Sequence, residues 1–438
     1  MSSRLNRREF LGASAAVAGA VAAGDTLAAP PAPKPKAPSD KLHVAVVGVA
    51  GRGGANLNGV AGENIVALCD VDANRLGKAA KRFPKAKTFA DFRKMLWQTE
   101  KSIDAVVVST PDHTHAPAAA MAMRMGKHCY CEKPLTHSVF ESRTLVELAK
   151  KNKLVTQLGT QIHAGENYRR VVELVQAGAV GAVGEVHVWC SCRYGGVRRP
   201  KDAPPVPPHL DWDLWLGPAP YRPYHPCYLP GRWRNWWDFG TGGMGDFGCH
   251  YTDLPFWALK LRHPTTVESE GPPPDAEAVP LWLIVRYEFP PRGDLPAVKL
   301  TWYHGGRQPA MLKDLLAPKD RKRWGSGVLF VGAKGMLLAN YNARMLLPKE
   351  KFAGFQPPKP TIPPSIGHHR EWIVACKTGG QTTCNFDYSG TLSEAVLLGN
   401  AAFRAGEKLQ WDAQDLKATN TDKAAPYIRR EYRKGWTL

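Results

Sequence analysis

The chain has 438 residues, 44% of them hydrophobic and 22% charged. That is the composition of an ordinary soluble globular protein, and the length calls for about two domains rather than one core. The net charge is +19; residues 1–37 carry +3 of it and leave +16 on the rest. A field of that sign favours anionic substrates or glycans. With no helix-turn-helix, zinc-finger or RNA-binding motif beside it, the charge is not a nucleic-acid signature.

Residues 1–29 read as an address rather than as part of the fold. A basic start (Arg4, Arg7, Arg8) leads into an apolar run over 11–23, and small residues at 26–29 suit a cleavage site. The order Asn6-Arg7-Arg8-Glu9-Phe10-Leu11 resembles a twin-arginine export signal, which implies a periplasmic or otherwise exported protein. Residues 30–40 form a proline-rich spacer. No later segment reaches 18 apolar residues, so the body is expected to be soluble and not stably inserted in a membrane.

Residues 41–160 alternate short apolar strands with amphipathic helices. The run 42–48 (LHVAVVG) is a buried strand ending in glycine. Gly48-Val49-Ala50-Gly51-Arg52-Gly53-Gly54 follows at once, then a helix to about residue 60. This is the strand, tight turn and helix context in which backbone N–H groups cradle a pyrophosphate. Ala50 departs from the glycine pattern, and Gly51 is placed to share its role. A second strand over 65–69 ends in Asp70, about 20 residues on, where a carboxylate accepts hydrogen bonds from ribose hydroxyls and repels a 2′-phosphate. NAD is therefore expected over NADP.

Helices are expected at 73–83, 89–97, 116–125 and 139–152, and strands at 103–109, 128–131 and 155–158. The alternation predicts a doubly wound parallel sheet. Ligands bind at the carboxyl ends of such strands. Those ends carry Gly48, Asp70, Ser109-Thr110-Pro111, Glu132-Lys133-Pro134 and Gln161.

These residues, with His115 and the run Gly245-Asp246-Phe247-Gly248-Cys249-His250-Tyr251-Thr252-Asp253, resemble the Gfo/Idh/MocA oxidoreductases, of which glucose–fructose oxidoreductase and inositol dehydrogenase are examples. The resemblance implies an α/β fold: an N-terminal Rossmann domain over 41–160 and a C-terminal α+β domain over 161–438 with an open, mostly antiparallel sheet. The second domain would bind substrate and form a homo-oligomer. Helices at 166–177, 369–377 and 392–405 and strands at 185–192, 281–289, 297–303 and 328–331 fit that expectation. The aromatic, proline-rich stretch 198–234 is expected to wall the substrate pocket.

By the same resemblance, Lys133 is the electrostatic and proton-relay group, His250 a general acid/base, and Asp246 its neighbour near the substrate, where it would hold the imidazole in position or bind a substrate hydroxyl. Asp246 and His250 lie one helical turn apart. His163, Arg232, Trp236, Trp237 and Tyr251 are candidate substrate contacts; indole rings suit stacking on sugars. Gly48, Ala50, Gly51, Arg52, Gly53, Asp70, Ser109, Thr110, Pro111, His115, Glu132, Lys133 and Gln161 are the candidate cofactor contacts. No metal site is expected, because neither His113 with His115 nor His368 with His369 has carboxylate or thiolate partners in sequence. The nine cysteines lack zinc spacing; a disulfide stays open and unplaced.

Two activities fit these residues. One is an NAD-dependent oxidoreductase acting on a secondary hydroxyl of a sugar, polyol or glycoside. Outside the cytoplasm little free NAD is available, so its cofactor would be tightly bound and internally recycled. The other is a glycosidase that oxidises a ring hydroxyl transiently, eliminates the glycosidic bond, adds water and returns the hydride. A sugar-binding protein without activity is the third reading, disfavoured by the presence together of Lys133, Asp246 and His250.

Overall fold

The computed structural model describes Ala37 and residues 40–438. The leader 1–29, with its signal motif, lies outside the described residues, as does the spacer apart from Ala37 and Asp40.

Six parallel strands form the first sheet, in the order β3-β2-β1-β4-β5-β6: β1 His43–Val47, β2 Asn64–Cys69, β3 Lys87–Phe89, β4 Ala105–Val108, β5 His128–Glu132 and β6 Thr156–Gly159. The apolar runs of β1 and β4 lie at its centre, buried on both faces, as strands covered by helices on two sides must be. The helices are α1 Arg52–Gly59, α2 Ala73–Arg82, α3 Phe92–Thr99, α4 Asp112–Arg124 and α5 Val139–Lys151. The helix expected at 89–97 starts later. Phe89 pairs with Cys69 as the end of β3, and the Asp91 carboxylate caps α3 by accepting from the Arg93 N–H at 2.8 Å.

The second sheet has nine strands in the order β13-β12-β11-β7-β10-β9-β8-β14-β15. They are β7 Val183–Cys190, β8 Thr266–Glu270, β9 Ile284–Phe289, β10 Val298–His304, β11 Gly327–Gly332, β12 Gly335–Ala339, β13 Arg344–Leu347, β14 Leu409–Asp412 and β15 Lys417–Ala418. Every pairing is antiparallel except β7 with β10. The sequence marks only β7, β9, β10 and β11. The others are short, and too few alternating positions set them apart from loops.

Helices α6 Glu166–Gln176, α8 Gly242–Leu259 and α10 Phe386–Ala405 share one core with this sheet, while the short α7 Trp212–Leu216 belongs to a separate aromatic cluster. Helix α8 begins with glycines that few helices tolerate. Close packing explains them: a Cβ on Gly245 would lie 1.8 Å from Thr241 Oγ1, and one on Gly248 3.0 Å from Val396 of α10. The chain then returns to the first domain. Trp372 and Cys376 of α9 His368–Thr378 pack with Val44, Val46 and Tyr130 on one face of the parallel sheet. Cys384, Phe386 and Trp436 pack with Ala45, Val108 and Leu158 on the other.

All nine cysteines carry free thiols. Among the described residues no helix is long and apolar enough to cross a membrane.

Candidate active site

A cavity of about 1090 Å³ opens between the carboxyl ends of the parallel strands, the segment 207–234 and the first half of α8. Its first end is the glycine turn. Gly48 has a φ of +83°, and a Cβ there would meet the Ser109 carbonyl oxygen at 2.6 Å. Gly51 (φ +57°) has nothing within 4 Å of where its Cβ would be. No side chain caps α1, and its first turn holds no acidic residue. Apart from the Gly53 N–H, which donates to the Ala50 carbonyl at 3.0 Å, its leading N–H groups are therefore available to an anion. Ala50 and Arg52 line the cavity beside them. Gly53 does not; its role is packing, since a Cβ there would lie 2.0 Å from the Gly48 carbonyl oxygen.

Asp70 lines the same end. Its carboxylate accepts from the Val49 N–H at 3.1 Å and the Asp72 N–H at 3.0 Å, which ties β2 to the glycine turn. Burial raises its pKa against those hydrogen bonds. Asp72 is already engaged: it caps α2 through Asn74 and Arg75, and pairs with the Arg75 side chain at 3.2 Å. Asp70 is thus the carboxylate placed for a ribose. The turn, the uncapped helix start and this acid together fit a dinucleotide.

Ser109, Thr110, Pro111, His115, Glu132 and Lys133 line the middle. Both His115 nitrogens face carbonyls, of Pro134 and Thr110, each at 2.8 Å, so the ring ties β4 and β5 loops together. Burial lowers its pKa. Glu132 accepts from Asn56 at 2.9 Å and Gln161 at 2.8 Å. Gln161 does not line the cavity; its amide supports Glu132 and Tyr130 from behind.

At the far end Lys133 Nζ donates to Asp246 Oδ1 and, at 2.7 Å, to the Asp246 carbonyl oxygen. An ammonium has three N–H donors, so one remains. Arg234 Nε lies 2.9 Å from Asp246 Oδ1, and the Tyr194 hydroxyl donates to Oδ2 at 2.7 Å. Burial pushes the Asp246 pKa up, but Lys133 and Arg234 outweigh it and hold the carboxyl well below its usual range. Burial and the Asp246 charge push Tyr194 up. His250 lines the cavity one turn from Asp246; its Nδ1 is buried without a hydrogen-bond partner. Burial, reinforced by Lys133, pulls it down to about 3, so the ring is neutral. Asp246 is therefore the anchor of Lys133, not of the imidazole.

Five expected substrate contacts lie elsewhere. His163 is buried, bonded through Nδ1 to Asp253 at 2.9 Å and stacked on Trp257, because the turn after β6 points it under α8. With Asp253 and Cys384 it forms a buried group whose ligand-type atoms lie within 4.8 Å of one another. Tyr388 also donates to Asp253, at 2.7 Å. Tyr251 follows His250 on α8, is buried and stacks on Tyr341 at 4.6 Å, outside the cavity. Trp236 and Trp237 are 2% and 5% exposed, in two different cores, and Arg232 points to solvent. Their neighbours Trp233 and Arg234 line the cavity instead, with Tyr194 and Asp112. The segment has no regular period, so no pattern says which of its side chains turn inward. Buried Asp112 accepts from Thr241 at 2.6 Å.

Comparisons with known proteins bear on the family, the fold and the cofactor. A model of an oxidoreductase family with an NAD-binding Rossmann fold matches residues 42–160. A model of the C-terminal alpha/beta domain of the same family matches residues 185–293. The inositol 2-dehydrogenase of Rubrobacter xylanophilus is 34% identical over 149 residues, 33% of this chain and 42% of that protein. The chain thus matches less than half the length of such curated relatives. Among solved structures, the WlbA dehydrogenase of Bordetella pertussis in complex with NADH and UDP-GlcNAcA superposes with a TM-score of 0.59 at 17% identity, covering 85% of this chain and 99% of that one. GenD2 from gentamicin A biosynthesis, in complex with NAD, gives 0.58 at 19% identity, covering 87% and 99%. At such identities the likeness is one of fold. The chain belongs to the Gfo/Idh/MocA family of oxidoreductases, and its first domain is the family's NAD-binding Rossmann domain.

Proposed function

We propose that this protein is an exported NAD-dependent oxidoreductase that acts on a secondary hydroxyl of a sugar, polyol or glycoside and keeps its cofactor between turnovers. The observation that carries the reading is the Lys133–Asp246–Tyr194–Arg234 cluster at one end of a cavity whose other end is built for a dinucleotide. Bound NAD supplies the hydride acceptor and donor. Lys133 has one free N–H with which to hold a hydroxyl oxygen and stabilise alkoxide character on it. Asp246 fixes that ammonium from two sides. His250, neutral, is placed on the cavity wall to take the hydroxyl proton as the hydride leaves for the nicotinamide, and at its lowered pKa it then releases that proton to water in the cavity. Relatives named for inositol oxidation, and a neighbour solved with a nucleotide sugar, support a carbohydrate-like substrate. The export-like leader supports a resident cofactor, because a freely exchanging one would be lost outside the cytoplasm.

The test begins with protein purified without added cofactor and unfolded in acid. Close to one NAD(H) per chain is expected. A panel of polyols, sugars and glycosides is then screened with the loaded protein. Lys133→Ala should keep the cofactor and lose turnover by ~10²–10⁴-fold; full activity would remove Lys133 from the chemistry. Release of reducing ends with no net change in bound NADH would point instead to the glycosidase route.

A further inference from the structure

We infer that the C-terminal tail, through Arg433 and Trp436, clasps the 207–217 segment over the adenosine half of the cavity, and that this clasp retains the cofactor. The inference rests on the reading of the cavity as an NAD site.

Three sets of contacts carry it. The first is a strap. Leaving the second domain, the chain crosses back and pairs by its backbone with the residues just beyond Asp70. Asp211 N–H donates to the Val71 carbonyl at 2.9 Å, Ala73 N–H donates to the His209 carbonyl at 2.8 Å, and Asp72 and Leu210 form an isolated β-bridge. His209, Leu210 and Leu214 line the cavity that Asp70 lines. A segment stitched across the ribose-binding corner stands in the way of a nucleotide that leaves on that side.

The second is the pin. The Arg433 N–H donates to the Pro218 carbonyl at 2.9 Å. Its guanidinium donates to the Gly217 carbonyl at 3.1 Å and the Asp213 carbonyl at 2.9 Å, and pairs with the Asp213 carboxylate. One side chain from the far end of the sequence thus ties down the end of α7.

The third is the slot. Trp436 packs against Phe92, ring centroids 5.9 Å apart, and the Arg93 guanidinium lies 4.1 Å from its ring centre. Trp436, Phe92, Leu214 and Thr114 all line the cavity. Phe92 opens α3, directly after β3, the strand beside the one that ends at Asp70. Flat apolar walls with a hydroxyl nearby, next to a ribose-binding carboxylate, suit a purine ring. An anchored wall also lowers the dissociation rate more than it changes association.

The experiment uses full-length protein carrying the nicotinamide with which it is purified. NAD(H) per chain is measured before and after exhaustive desalting, and NADH dissociation is followed by its fluorescence, in wild type, Arg433→Ala, Trp436→Ala and Trp436→Phe. Near-ultraviolet circular dichroism checks the fold of each. Dissociation should speed by about tenfold or more in both alanine variants, with retained NAD falling to a fraction of an equivalent, while Trp436→Phe stays near wild type. Wild-type retention in folded Arg433→Ala and Trp436→Ala would overturn the clasp. So would a wild type that binds added NAD yet loses it on desalting. A wild type that binds no NAD even when it is supplied would overturn the cofactor reading itself.

Discussion

Two buried carboxylates in one cavity answer burial in opposite ways. Asp246 faces Lys133 and Arg234, and their charges outweigh desolvation. Asp112 has Arg234 for a counter-charge and Thr241 for a hydrogen bond, and burial still lifts its pKa to about 7. Its unfolded value is about 3.9. Over the window from about 4 to about 7 the folded state keeps a proton that the unfolded state has released. Asp112 therefore takes stability away as pH rises through that window, and no more above it. Asp112→Asn should gain stability relative to wild type between about pH 4 and about pH 7, by up to a few kcal/mol in urea unfolding; a difference that stays flat with pH would refute the assignment. At this scale Lys133, Asp246 and His250 are legible in the sequence because each stands in a motif tied to a strand end or one helix face. Tyr194, Trp233 and Arg234 are not: the first stands on irregular backbone and the other two on a single 3₁₀ turn, too short for a period, where side-chain direction follows from packing. Arg232 and Arg234 share one 3₁₀ turn, yet only the second reaches the cavity.

Single elements depend on close backbone approach. The glycine turn brings Gly53 of α1 against the Gly48 carbonyl, and a methyl group there meets peptide atoms that cannot swing away. Gly53→Ala should destabilise by about 1–3 kcal/mol or more and lower NAD retention with it. Gly62, where an added Cβ would meet nothing within 4 Å, is the control, and Gly62→Ala should change stability by less than about 0.5 kcal/mol. Equal denaturation midpoints for the two would remove the packing argument. The parallel strands and their helices are readable because each is either fully apolar or strongly periodic. Strands β8 and β12 to β15 are not, since two to five residues at the rim of a half-exposed sheet carry almost no period. Helix α8 is a different case. Its glycines argue against a helix locally, and the tight contacts with Thr241 and Val396 override them.

Contacts between the C-terminal tail and the helices of the first domain span the molecule. Arg430 in the tail bonds to Glu141 of α5 at 2.7 Å and to the His113 carbonyl at 2.6 Å. The Glu141 side chain is 1% exposed, whereas Asp213, the partner of Arg433, is 70% exposed. Removing one member of a buried pair strands a charge and costs about 3–5 kcal/mol; an exposed pair contributes about 1 kcal/mol or less. Arg430→Ala should therefore unfold at much lower denaturant than Arg433→Ala, and equal midpoints would contradict the burial difference. The tail thus serves stability through Arg430 and, on the clasp proposal, cofactor retention through Arg433 and Trp436.

Local period and turn chemistry act over a few residues. They suffice for the α/β class and for the dinucleotide turn and Asp70 at the strands' carboxyl ends, which follow from the chain's own order of residues; Lys133 and the Asp246–His250 pair are assigned to the site by the family resemblance of their motifs. Three outcomes needed the folded chain: Asp246 holds Lys133 rather than His250, His163 and Tyr251 face the interior, and Trp372, Cys376, Cys384, Phe386 and Trp436 close back on the first domain. Those outcomes depend on pairs of groups far apart along the chain, Lys133 with Asp246 or Glu141 with Arg430, and such pairs leave no periodic trace in either partner's neighbourhood.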